Sequence, residues 1–172
     1  MTNKYKDTRN WEVWANIHLP QKFGLTVEEF CEDYERNHDE GTDAITKELG
    51  RVDFKWNRLF DYKRLFFALE HRQKNGGDSW VENKKALELG VVILHPWKDY
   101  TRPGYYKLVG YPLSKLKELL EVKRLGTAPS TAKDTGTQFY EVDMESLEDI
   151  KIWDSGWIWL GREETTWKSL NK

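Results

Sequence analysis

From Trp11 to Leu19 the chain alternates, with Trp11, Val13, Ala15, Ile17 and Leu19 on one side and Glu12, Trp14, Asn16 and His18 on the other. A period of two predicts a half-buried strand, stopped at Pro20. Thr26 with Glu29 three residues later has the form of a capping box. Val27, Phe30, Cys31 and Tyr34 then follow helical spacing, so a helix running to about Asn37 with an acidic face in solvent is expected. Thr42 and Gly50 supply the start and stop of a second, short helix. Val52, Phe54 and Trp56 alternate with Asp53, Lys55 and Asn57 as in a short strand, although a helix fits nearly as well.

The stretch 61–111 reads as two helices and a hairpin. Asp61 caps a helix whose buried stripe is Tyr62, Leu65, Phe66 and Leu69, ended by Asn75, Gly76 and Gly77. Ser79 and Glu82 form another capping box, opening a helix that closes at Gly90 with apolar residues spread around most of its circumference. Val91–Leu94 and Tyr105–Tyr111 are strands joined across the Pro103–Gly104 turn. Pro112 then opens a helix in which Leu113, Leu116 and Leu120 face inward, Lys117 and Glu121 pair, and Gly126 terminates. Residues 127–137 are polar and small, the form of a flexible loop. They precede a Trp-rich β element over 138–172: a strand at Gln138–Asp143, a short acidic turn or helix, and a hairpin turning at Asp154–Ser155–Gly156.

Together these elements predict a single α+β domain, antiparallel strands and hairpins covered by three or four helices. The order and spacing over 61–111 match a winged helix-turn-helix. No apolar stretch approaches the roughly 20 residues of a membrane span, and the N-terminal residues lack the apolar centre of a signal peptide, so a cytoplasmic location without a membrane partner is expected. The single cysteine, Cys31, suits a reducing compartment and reads as a small buried hydrophobe.

The net charge of −2 conceals segregation: −5 over residues 1–50, +8 over 51–133 and −5 over 134–172. Clustered positive charge attracts polyanions, so the leading expectation is a non-catalytic nucleic-acid-binding protein. Asn83, Lys84 and Lys85 would enter a groove. Lys98, Arg102 and Lys107 would contact phosphates beside it, with Arg72 and Lys74 preceding the turn. A second reading is a regulatory or inhibitory protein. It would bind a protein partner through Trp14 and an acidic helix carrying Glu28, Glu29, Glu32, Asp33 and Glu35. A third is an enzyme acting on an anionic substrate near His95, Asp99 and Arg102. No residue is assigned a catalytic role in the leading reading. The scattered His18, His38, His71 and His95 lack zinc spacing, the acidic residues Asp39, Glu40 and Asp43 fit a solvated turn, and no cofactor motif is present, so neither metal nor cofactor is expected.

Overall fold

The computed structural model describes residues 3–31, 39–56, 67–72, 79–126, 129–131 and 136–161. In chain order the elements are α1 (Asn3–His18), a 3-10 turn at Pro20–Phe23, β1 (Val27–Phe30), β2 (Ala44–Thr46), β3 (Gly50–Phe54) and β4 (Phe67–Arg72). After a 3-10 turn at Trp80–Glu82 come α2 (Lys84–Glu88), β5 (Val92–Lys98), β6 (Tyr105–Pro112), α3 (Leu113–Gly126), β7 (Ser130–Thr131), β8 (Gln138–Val142), α4 (Met144–Glu148), β9 (Trp153–Asp154) and β10 (Ile158–Trp159).

Residues 11–18 of the alternating pattern lie in the helix α1, not in the expected strand. Trp11, Ala15 and Leu19 are buried at a spacing of four, whereas Val13 and Ile17, which complete the period of two, are exposed. Trp56 secures α1 by donating its indole N–H to Asn16 Oδ1 at 2.7 Å.

The two expected helices that follow are replaced by a meander of β1, β2 and β3, all antiparallel neighbours. Thr26 is no helix cap: its backbone N–H donates to the Glu48 carboxylate at 2.9 Å, and its carbonyl accepts from Lys47 N–H. Gly50, at φ +69°, closes the loop between β2 and β3. A helix end and a three-residue hairpin loop both call for left-handed backbone, so the glycine alone does not distinguish them. Residues 32–38, the remainder of the first expected helix, lie outside the described residues.

β3 pairs with β5 in parallel, and the large sheet runs β1-β2-β3-β5-β6, with β9 and β10 both on the far side of β6. The expected terminal hairpin is therefore an interrupted edge strand, because its two arms bond β6 and not each other. A second, antiparallel sheet has the order β4-β8-β7.

β4 overturns the helix expected from Asp61, for its described part; residues 61–66 lie outside. Phe67 and Leu69 enter the core at strand spacing, Ala68 is buried between them, and the ladder partner is β8. The next expected helix breaks at Asn83, whose φ −60° and ψ 105° separate the 3-10 turn from the five-residue α2. Over the described residues the winged unit is therefore strand, turn, short helix and hairpin.

The hairpin of β5 and β6 forms as expected, and α3 buries Leu113, Leu116 and Leu120 while Lys117 pairs with Glu121 at 2.8 Å. The strand at β8 and the short acidic helix α4 also appear where expected. Both faces of the large sheet are buried. Val92, Leu94, Tyr106, Leu108, Val52 and Phe54 join α1 and its following turn in one core. Ile93, Trp97, Val109 and Tyr111 join β4, β8 and α3 in another. Burial on both sides accounts for the unbroken apolar character of Val91–Leu94.

Candidate active site

The β2–β3 register places two carboxylates side by side. Ala44 lies opposite Val52, and both enter the α1 core. Asp43 and Asp53, one position further along each strand, therefore project to the opposite face, and Lys55 follows Asp53 at the same parity. Asp43 is anchored by its own backbone: its N–H donates to the Val52 carbonyl and its carbonyl accepts from Cys31 N–H, each at 2.9 Å. Its Oδ2 accepts from Phe54 N–H at 2.8 Å. Lys55 Nζ lies 2.6 Å from Asp53 Oδ2 and 4.6 Å from the centre of the Trp80 ring.

Burial, followed by the neighbouring charge of Asp53 and a hydrogen bond to it, holds the Asp43 carboxyl well above the ordinary carboxylate range. Two like charges brought together in a partly desolvated place do not both ionise freely, so Asp43 favours its protonated form. Burial alone would lower Lys55; Asp53 outweighs it, with further contributions from Asp43 and Glu70 of β4, and the ammonium is stabilised. The side chains of Asp53 and Lys55 retain 14% and 23% exposure.

Chemically, this is a pair of hard oxygen donors beside a fixed cation. Among the described residues no three His, Cys, Asp or Glu side chains form a metal cage. Two carboxylates suffice for a magnesium-type ion, which keeps several waters and takes its other ligands from a substrate phosphate. The sequence pattern contained Asp53 and Lys55 as the polar positions of a strand, but placed Asp43 in a solvated turn. Only the register between β2 and β3 unites them.

The residues expected to bind nucleic acid are dispersed. Asn83 caps α2, accepting from Ala86 N–H at 3.2 Å and donating to the Asp39 carbonyl at 3.0 Å, which occupies it structurally. Lys84 is exposed, and exposed Lys85 lies 3.5 Å from Glu40. Arg72 ends β4, and Lys74 lies outside the described residues. Lys98, Arg102 and Lys107 all belong to the β5–β6 hairpin, but Lys98 pairs with Tyr106 and Lys107 with Trp97, so the two lysines stand on opposite faces. Burial lowers the Lys98 pKa. Arg102 bonds Asp99 at 2.8 Å and lies over the Tyr105 ring at 4.4 Å, while Lys107 lies 3.6 Å from Asp154.

Trp14 is half-buried, packing on the α1 core with its ring 5.0 Å from His18. Glu28 and Glu29 are exposed on β1, not on a helix, and Glu32, Asp33 and Glu35 fall outside the described residues. His95 is buried, 4.3 Å from the Phe67 ring and 4.8 Å from Trp97. Asp99 instead serves the hairpin turn, where hydrogen bonds from Thr101 and then Arg102 pull its pKa down to about 2. Cys31 is buried, in keeping with a packing role. No helix among the described residues is long and apolar enough to cross a membrane.

No protein-family model, curated protein or solved structure matches this chain.

Proposed function

We propose that this protein hydrolyses phosphodiester bonds in nucleic acid with a divalent cation held by Asp43 and Asp53. The observation that carries the reading is the convergence of two carboxylates and a lysine on one face of adjacent strands. Held by Asp43 and Asp53, such a cation would neutralise phosphate charge and supply an activated water. Water adds to phosphorus as the bond to one ester oxygen breaks, leaving a phosphomonoester and an alcohol. Charge accumulates on the phosphoryl oxygens in the transition state, and a pre-positioned ammonium such as Lys55 stabilises it without reorganisation. The Trp80 ring and Asp53 hold that ammonium in place before substrate arrives. The +8 charge over residues 51–133 favours a polyanionic substrate.

The test is cleavage of single- and double-stranded oligonucleotides with magnesium or manganese, and with chelator. Asp53→Asn is expected to abolish metal-dependent turnover. Lys55→Gln is expected to lower it about 10²- to 10³-fold, the scale of losing one preorganised charge-stabilising group. Both variants should keep a cooperative melting transition. The absence of hydrolysis with either metal, together with no manganese binding, would refute the assignment.

A further inference from the structure

The outer edge of the large sheet carries a second grouping. β10 pairs with β6 so that Ile158 lies opposite Tyr106 and Trp159 opposite Tyr105. Ile158 and Tyr106 belong to the α1 core. By alternation, Trp157 and Trp159 stand on the other face with Tyr105 and Lys107. Trp157 is 40% exposed and Trp159 62% exposed. Two cations lie over rings in this row: Arg102 at 4.4 Å from Tyr105, and Lys107 at 4.9 Å from Trp157. Leu160 N–H donates to the Gly104 carbonyl at 2.8 Å, tying the edge strand to the hairpin tip.

We propose that this row binds a single-stranded segment of nucleic acid, its bases stacking on Trp159, Tyr105 and Trp157 and its phosphates meeting Arg102 and Lys107. For the identity of its ligand this rests on the proposed action on nucleic acid. Three points favour a single strand. Exposed tryptophans give up large apolar burial, which stacked bases would restore. Trp157 and Trp159, two residues apart in an extended segment, are about 6.8 Å apart along the chain, twice the 3.4 Å rise of a stacked strand, while Tyr105 lies across from Trp159, so the rings accommodate separated bases. A duplex presents edges and backbone, leaving its base faces inaccessible to such a row. Asp99 and Asp154 beside the two cations limit the net charge, so stacking carries more of the affinity than phosphate contact.

The measurement is fluorescence anisotropy of labelled oligothymidine and of a labelled duplex, in chelator so that nothing is cleaved. Wild type should prefer the single strand. Trp159→Ala should weaken it about 5- to 150-fold, the range for one stacked base. Hydrolysis of bis(p-nitrophenyl) phosphate, which is too small to span both places, should be unchanged in that variant. Equal binding by wild type and Trp159→Ala, preference for duplex, or a Trp159-dependent dimer that ignores oligonucleotide would each overturn the proposal. If the diester is not hydrolysed while oligothymidine still binds through Trp159, the active-site reading fails and this one stands.

Discussion

Burial, and after it the neighbouring charge of Asp53, disfavours the ionised form of Asp43 and raises its pKa. Its folded pKa exceeds its unfolded one, so the associated stability is fully present below the ordinary value of 3.8 and is lost as pH rises through the raised value. The expected outcome in chelator is a melting temperature that declines over that window. Asp43→Asn, which keeps the Phe54 N–H acceptor and removes the titration, should flatten the decline. A decline of equal steepness in the variant would show that Asp43 does not carry this titration. The same residue connects stability to chemistry: a cation bound there would require the carboxylate form and so displace the Asp43 proton.

At the scale of elements, Asn83 sets where α2 begins. Asn83→Ala should cost about 1 kcal/mol, seen as a lowered denaturant midpoint with unchanged slope, because one N–H of the first turn loses its acceptor. That role was legible only in part. β5, β6 and α3 followed from apolar runs, the Pro103–Gly104 turn and the leucine spacing, all local signals. The α1 segment misled because exposed Val13 and Ile17 supplied the missing members of an alternating pattern. β1 and β2 misled because Thr26 and Gly50 are as suited to a strand entry and a hairpin loop as to helix ends. The Asp43, Asp53 and Lys55 cluster depends on pairing register, which no spacing within either strand reveals. Expected groove residues Asn83 and Lys85 are engaged by Asp39 and Glu40, partners remote in sequence.

At the scale of the molecule, the two sheets are interleaved along the chain. β4 lies within the crossover from β3 to its parallel neighbour β5, yet its partner β8 follows α3. Phe67 and Leu69 share a core with Ile93, Val109, Leu116 and Val142, drawn from both sheets and the helix between them. Far-ultraviolet circular dichroism and tryptophan fluorescence should therefore report coincident unfolding, and separate midpoints would show that the sheets melt independently. The interleaving also bears on biosynthesis. β4 is made well before β8, so a nascent chain carries an apolar strand with an unfilled edge until nearly all of the sheet-forming residues have emerged. Release before that point exposes the kind of edge that recruits other chains, placing the greatest demand for chaperone protection late in translation.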